Sequence, residues 1–133
     1  MGHYRCIQSR SRVTTKRRFI PCFVNELAWH YANKISQLAP RPVAGFVVRK
    51  EIKDHGTERK IDGNFKPGTT VILFDDVTTK GGSVMQAVRA VRDRGARVAK
   101  IITLVDRLEG AGENLGKEGI ELLALYTTRD LLG

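Results

Sequence analysis

A run of acidic, hydroxyl-bearing and glycine residues near the middle of the chain could do chemistry. Residues 75–83 read Asp-Asp-Val-Thr-Thr-Lys-Gly-Gly-Ser. Glycines and hydroxyls at a helix start can surround a phosphate with backbone N–H groups, because these groups have no intrahelical partner. The carboxylates of Asp75 and Asp76 cannot hold a phosphate and are suited to ribose hydroxyls or to Mg²⁺, both of which favour oxygen acceptors. The pattern therefore favours a phosphorylated sugar as the ligand.

The residues on either side of this run predict the elements that must position it. Residues 71–74 are four consecutive large apolar residues, which indicates a strand buried on both faces with Asp75 and Asp76 at its carboxyl end. After Ser83, apolar residues at 84, 87, 88 and 91 share one face of a helix. The prediction is a strand, a small-residue loop and a helix N-terminus. The Gly-x-x-x-x-Gly-Lys-Ser/Thr and Gly-x-Gly-x-x-Gly motifs do not occur in the sequence, which excludes those nucleotide-binding loops.

Strands and helices are predicted to alternate along the rest of the chain. We expect a helix from Asn25 to about Leu38, strands at residues 43–48, 98–105 and 120–126, and a loop or short helix at 109–119. Alternation of this kind implies an α/β fold with a parallel sheet, in which ligands bind at the carboxyl ends of the strands. Three predicted strand ends carry charge, namely Arg49-Lys50, Asp75-Asp76 and Asp106-Arg107. Their convergence favours an anionic ligand that carries hydroxyl groups.

The segment between residues 49 and 68 is highly charged and has little apolar content. Loops of this length in compact domains are usually functional or disordered. We therefore predict a flexible charged loop with a mobile tip at residues 54–57 and a turn at Asp62-Gly63. A solvated charged hairpin is the alternative interpretation.

Charge is distributed unevenly over the 133 residues, which carry a net charge of +9. Residues 1–22 contain six cations and no acid: Arg5, Arg10, Arg12, Lys16, Arg17 and Arg18. We interpret them as a basic, partly disordered extension, followed by one domain at residues 23–133. Such an extension could contact nucleic acid, but aromatic residues are sparse there and no nucleic-acid-binding motif is present, so nucleic acid is not the expected partner.

Several other classes of protein are not favoured by the sequence. There is no apolar run of the length of a membrane span and no signal-peptide core at the N-terminus. Cys6 and Cys22 are not spaced as a metal-binding or redox pair, which favours free thiols in a reducing compartment. We therefore expect a cytoplasmic protein without a membrane partner.

Three ordered motifs resemble one enzyme family. Residues 75–83 resemble the phosphoribosyl pyrophosphate (PRPP) motif of type I phosphoribosyltransferases. Residues 49–56 resemble the flexible catalytic loop of orotate phosphoribosyltransferases, and Asp106-Arg107 resembles the orotate site of that family. The resemblance covers about residues 43–132 and implies a type I phosphoribosyltransferase-like core with a parallel sheet. It also implies transfer of the phosphoribosyl group from PRPP to orotate, which gives orotidine 5′-monophosphate and pyrophosphate.

The resemblance also implies roles for individual residues. Catalytic roles fall to Lys53, His55 and Asp76. The implied PRPP ligands are Arg49, Lys50, Lys53, His55, Asp75, Asp76, Val77, Thr78, Thr79, Lys80, Gly81, Gly82 and Ser83, and the implied orotate ligands are Thr79 and Arg107. Mg²⁺ would be carried with PRPP and without direct protein ligation, and a homodimer would share its active sites because the loop reaches the neighbouring subunit. Cations of the loop would stabilise the negative charge that develops on the departing pyrophosphate.

The sequence departs from the family pattern at two places. Lys80 occupies a position where the family usually has a small residue or threonine, and residues 1–24 contain neither the family's glycine-rich pyrophosphate loop nor its upstream orotate-binding segment. An alternative function is that of a degenerate PRPP-binding relative, which would act as a sensor or a nucleic-acid-binding regulator without full catalysis. For Arg107, a structural ion pair with Asp106 is the alternative to substrate contact.

Overall fold

The computed structural model describes residues 19–23, 26–38, 45–53 and 56–133. The elements in chain order are β1 (Phe19–Phe23), α1 (Glu26–Leu38), β2 (Phe46–Lys53), β3 (Gly56–Gly63), β4 (Thr70–Thr78), α2 (Gly82–Asp93), β5 (Arg97–Asp106), α3 (Ala111–Lys117), β6 (Glu121–Thr127) and α4 (Thr128–Leu132). Throughout these ranges, each helix is too short or too polar to cross a bilayer.

The strands form one sheet in the order β3-β2-β1-β4-β5-β6. All neighbouring strands pair in parallel except β2 and β3, which are antiparallel. The predicted parallel core is therefore confirmed, and five strands end at the same edge of the sheet. Because the β1-α1-β2 and β4-α2-β5 connections run in opposite directions along the sheet, right-handed crossovers place α1 and α2 on opposite faces.

The strand β1 is absent from the sequence-based assignment. It lies between β2 and β4 and pairs with both, with Phe23 opposite Val47 on one side and Phe74 on the other. The predicted boundary between residues 22 and 23 falls inside this strand. Residues 1–18 of the predicted extension lie outside the described residues.

The charged segment forms an antiparallel hairpin, which was the alternative interpretation, instead of the favoured flexible loop. Its register extends from the Phe46–Gly63 pair to the Lys53–Gly56 pair. Backbone groups satisfy each other across the hairpin whatever the side chains are, so charged residues do not prevent pairing. The predicted turn at residues 62–63 is also wrong, because these residues are the end of β3. Asp54 and His55, at the predicted tip, lie outside the described residues.

The core lies between α2 and the sheet. The predicted apolar face of α2 is confirmed, with Val84, Ala87, Val88 and Val91 buried. On β4, Val71 and Leu73 are fully buried, whereas the alternate residues 72 and 74 are only half-buried. The predicted burial of β4 on both faces is therefore complete only on the face that α2 covers. The strand also continues beyond the two acidic residues to Thr78.

Candidate active site

The carboxyl ends of β4 and β5 lie side by side at the edge of the sheet where the predicted site residues are found. Thr78 pairs with Asp106, and the backbone N–H of Arg107 donates to the Thr78 carbonyl oxygen at 2.9 Å. This arrangement brings the predicted sugar-binding carboxylates of β4 next to the predicted orotate-binding residue that follows β5. Two of the three charged strand ends are therefore joined by hydrogen bonds.

The loop after β4 leads into the N-terminus of α2. Gly81 is the N-cap residue, with a φ of 85°, and it offers no side-chain capping bond. The backbone N–H of Met85 donates to the Gly81 carbonyl oxygen at 2.8 Å, so the N–H groups of the preceding turn point out of the helix start. The first turn contains no acidic residue, which leaves the positive end of the helix dipole uncompensated by a carboxylate there. This end of α2 has the geometry and electrostatics of an anion site.

Gly81 and Gly82 have different roles in this loop. Gly81 is buried and in the left-handed region, and a β-carbon there would lie 3.5 Å from Ala111 and 3.7 Å from Leu115. A β-carbon on Gly82 would meet nothing within 4 Å, so the space in front of the helix start is open. The side chain of Asn114 donates to the Lys80 carbonyl oxygen at 2.9 Å and supports the loop from α3. Nothing in the sequence around Asn114 indicates this role.

The two acidic residues of β4 differ in their hydrogen bonds. The Asp75 carboxylate accepts from the backbone N–H of Asp76 at 3.0 Å, and the Asp76 carboxylate accepts from the backbone N–H of Val77 at 2.7 Å. Burial, the side-chain hydrogen bond with Asp76 and the charge of Asp76 raise the pKa of Asp75 to about 6, against the lowering effect of the Asp76 N–H and the Thr78 hydroxyl. Asp75 therefore takes up a proton just below neutral pH. Ligand hydroxyls would favour its ionised form.

Thr78 was predicted to contact PRPP, but its side chain is buried within the protein. It is 2% exposed, and its hydroxyl lies 3.0 Å from the hydroxyl of Thr103 and 3.3 Å from the Asp75 carboxylate. Thr103 is 0% exposed and was missed by the sequence analysis. The available signal was a single polar residue within the apolar run of residues 101–105.

Arg107 is held at the edge of the sheet through its backbone. Its carbonyl oxygen accepts from the hydroxyl of Thr128 at 3.2 Å, and its guanidinium forms an ion pair with Glu109 at 2.9 Å. Asp106 instead accepts from the backbone N–H of Leu108 at 2.9 Å. The alternative of an Arg107–Asp106 ion pair is therefore not what the structure contains. The guanidinium is half-exposed, so an anionic ligand can reach it.

The remaining predicted site residues are distributed around this edge. Lys80 and Ser83 are exposed beside the helix start, Val77 is exposed on β4, and Thr79 is half-buried. On β2, Arg49 forms an ion pair with Asp62 of β3 at 3.0 Å. Lys50 and Lys53 belong to β2, but their side chains, like the whole of His55, lie outside the described part of the chain.

The acidic residues of this edge do not form a metal cage. Within the described ranges, no group of three or more His, Cys, Asp or Glu residues has an arrangement that could hold a metal ion. Asp75 and Asp76 nevertheless provide oxygen atoms of the type that Mg²⁺ and ribose hydroxyls prefer.

Comparisons with known proteins agree with this geometry. Residues 26–121 match the family model of the phosphoribosyl transferase domain. Orotate phosphoribosyltransferase of Methanocaldococcus jannaschii is 48% identical over 100 residues, which cover 75% of this chain and 56% of that protein. The crystal structure of orotate phosphoribosyltransferase from Aeropyrum pernix superposes with a TM-score of 0.74 at 32% identity, covering 87% of this chain and 64% of that one.

A further solved structure is that of Mycobacterium tuberculosis orotate phosphoribosyltransferase in complex with PRPP. It has a TM-score of 0.68 at 30% identity and is covered to 65%, while 85% of this chain is matched. The chain thus spans about half the length of the curated relatives that it matches.

Proposed function

The chain belongs to the phosphoribosyl transferase family, and from this membership we propose that it acts as an orotate phosphoribosyltransferase. The reaction would transfer the phosphoribosyl group of PRPP to orotate, giving orotidine 5′-monophosphate and pyrophosphate for pyrimidine biosynthesis. The observation that carries the proposal is the geometry of the connection after β4. The acidic end of β4 leads through Gly81 to a start of α2 that has no side-chain cap, and the backbone of Arg107 is hydrogen-bonded to Thr78 at the end of β4.

The PRPP end of the proposed site divides into two parts. The 5′-phosphate would lie at the start of α2, where backbone N–H groups point outwards and Gly82 leaves open space. The ribose hydroxyls would donate to Asp75 and Asp76 on β4. Both parts follow one another within a few residues of chain, so they can hold one phosphorylated sugar in a fixed orientation.

Charge development during the reaction suits the proposed division of roles. Displacement of pyrophosphate leaves positive charge on the sugar, which the carboxylates at the end of β4 would stabilise, and negative charge on the leaving group. Lys53 of β2 and His55 are proposed to act on the leaving group, together with Arg49 and Lys50. Mg²⁺ carried with PRPP would supply further positive charge to the pyrophosphate and sugar oxygens.

Orotate would bind on the β5 side of the site. Its carboxylate would exchange for that of Glu109 at the guanidinium of Arg107, with Thr79 nearby on the loop after β4. Because the backbone of Arg107 is bonded to both Thr78 and Thr128, the guanidinium starts from a fixed point next to the sugar site.

The proposal also covers the oligomeric state of the protein and its location in the cell. We propose a homodimer whose hairpins contribute to each other's sites, working in the cytoplasm. The alternative of a non-catalytic sensor or nucleic-acid-binding regulator is not favoured, because relatives that are 48% and 44% identical to this chain are named orotate phosphoribosyltransferases.

Arg107→Ala tests the orotate part of this proposal, with Arg129→Ala as the matched control, since Arg129 is an exposed arginine of α4. Calorimetric titration with orotate in the presence of pyrophosphate should show about tenfold weaker binding for Arg107→Ala, because a charge-assisted hydrogen-bonded pair is lost. The Arg129 variant should bind like the unaltered chain. Equal orotate affinity in all three proteins would remove Arg107 from the site.

A further inference from the structure

The hydroxyl groups of Thr78 and Thr103 form a buried pair behind the carboxylate of Asp75. Asp75 and Thr103 are register partners on β4 and β5, so their side chains leave the same face of the sheet. The Thr78 hydroxyl lies between them, at 3.3 Å from the Asp75 carboxylate and 3.0 Å from the Thr103 hydroxyl. Neither threonine is more than 2% exposed, so neither hydroxyl can reach a ligand outside the sheet.

Hydrogen-bond capacity decides how the three groups interact. A hydroxyl has one proton to donate and can accept as well, whereas an ionised carboxylate only accepts. Thr103 is also within reach of the carbonyl oxygens of Asp76 at 3.3 Å and Val105 at 3.2 Å. Because a bond to a charged acceptor is stronger than one between neutral groups, the Thr78 proton goes to Asp75 whenever that carboxylate is ionised. The Thr103 hydroxyl, 3.0 Å away, then holds the Thr78 hydroxyl in place on the side opposite Asp75.

We propose that Thr78, anchored by Thr103, is a positioning residue that aims the Asp75 carboxylate at the hydroxyls of the bound sugar. The proposal rests on the proposed function, since it assigns the sugar to Asp75. It revises the expectation that Thr78 is itself a PRPP ligand. Asp75 also accepts from the Asp76 N–H, so the two bonds together fix both oxygens of its carboxylate.

The test compares Thr78→Val, which keeps the side-chain shape and removes the hydroxyl, with Thr78→Ser, which keeps the hydroxyl. Each is titrated calorimetrically with PRPP and, separately, with inorganic phosphate. Loss of positioning should weaken PRPP binding about tenfold in Thr78→Val and leave phosphate binding unchanged, because the phosphate part of the site does not involve Asp75. Thr78→Ser should restore PRPP affinity. Equal weakening for both ligands would overturn the proposal and restore Thr78 as a phosphate ligand.

Thr103→Val and Thr103→Ser test the anchoring bond. Thr103→Val should weaken PRPP binding by less than Thr78→Val does, and Thr103→Ser should bind normally. Thr69→Val is the control for a purely structural loss, since the Thr69 hydroxyl donates to the Lys66 carbonyl oxygen at 2.6 Å in the turn before β4. It should lower the melting temperature without changing PRPP affinity. Normal PRPP affinity in Thr103→Val would remove Thr103 from the arrangement.

A second measurement does not depend on PRPP binding. Titration of the Asp75 carboxyl carbon by NMR should show a higher pKa in Thr78→Val than in the unaltered chain, because the lost hydroxyl stabilises the ionised form. The other charged groups of this edge are the same in both proteins; they are Asp76 on β4, Lys80 before α2, Asp106 at the end of β5 and Arg107 after it. An unaltered chain that does not bind PRPP would contradict the proposed function, and an unchanged Asp75 pKa in Thr78→Val would contradict the positioning bond itself.

Discussion

At the scale of residues, the motif at 75–83 was informative because its chemistry is local. Phosphate binding by a helix start depends on neighbouring backbone groups, so residue types at consecutive positions are enough to predict it. The raised pKa of Asp75 and the burial of Thr78 were not predictable in the same way. The pKa of Asp75 is raised mainly by burial, which requires the assembled sheet. The Thr78 hydroxyl bonds to Thr103, which is 25 residues further along the chain and reaches Thr78 only through the pairing of β4 with β5.

Gly82→Val should block the proposed phosphate site. The valine side chain would occupy the open space in front of α2, so we expect PRPP affinity to fall at least about tenfold. Gly112→Val is the matched control, because Gly112 also lies at the start of a helix with nothing within 4 Å of its added β-carbon. Calorimetric titration should show normal PRPP affinity in the control. Undiminished affinity in Gly82→Val would place the phosphate elsewhere.

Asp75→Asn should change how stability depends on pH. The pKa of Asp75 is about 6 in the folded chain and near 3.8 in the unfolded one, so folding binds a proton between these values. Stability of the unaltered chain should therefore fall as pH rises from about 4 to about 6 and then level off. Removing the ionisable group removes this loss, so the variant should gain relative stability above pH 6, on the order of 1–2 kcal/mol. Denaturant unfolding at a series of pH values measures the difference.

Asp130→Asn provides a control of opposite sign. Hydrogen bonds from the Thr127 hydroxyl and backbone N–H lower the pKa of Asp130. Its contribution to stability is present above the unfolded pKa of 3.8 and is lost as pH falls through the folded value. The variant should therefore lose stability at neutral pH relative to the unaltered chain. If the free energy of unfolding changed in the same direction in Asp75→Asn and Asp130→Asn at neutral pH, the assigned causes of the two pKa shifts would be wrong.

At the scale of elements, apolar patterning predicted the positions of α1, α2, β4, β5 and β6 well. For α2 the predicted apolar face is also the buried one. The strand β1 was missed, since Phe19–Phe23 contains Pro21 and directly follows a basic run that suggests an extension. The β2–β3 hairpin was only the alternative interpretation of its segment, for a different reason. Its pairing is made by the backbone, and charged side chains carry no signal of it.

Gly63→Ala tests how the hairpin is fixed to the core. Gly63 has a φ of 115°, and a β-carbon there would lie 2.9 Å from the Phe46 Cα and 3.0 Å from the Gly45 carbonyl oxygen. Backbone must move to relieve this contact, so we expect a loss of about 3 kcal/mol in the free energy of unfolding. Gly119→Ala, with a φ of 71° and nothing within 4 Å, should lose only about 1 kcal/mol. Similar losses in denaturant unfolding would contradict the close approach at Gly63.

At the scale of the whole molecule, the proposed homodimer makes a prediction about mixtures of variants. If the hairpin of one subunit serves the site of the other, Lys53→Ala and Asp76→Asn chains should each be inactive alone. Heterodimers formed by mixing them would contain one site with both parts intact, so part of the turnover should return. Sedimentation should show dimers in each preparation. No recovery in mixed dimers would mean that each site is built within one chain.

Orotate-dependent release of pyrophosphate from PRPP by the purified 133-residue chain tests the central claim most directly. We expect turnover that requires orotate and Mg²⁺ and is abolished by Asp76→Asn. Residues 1–24 contain neither the family's glycine-rich pyrophosphate loop nor its orotate-binding segment, so we expect PRPP affinity to be better preserved than the turnover rate. Pyrophosphate release that is independent of orotate, or that persists unchanged in Asp76→Asn, would contradict the assignment of this edge of the sheet as an orotate phosphoribosyltransferase site.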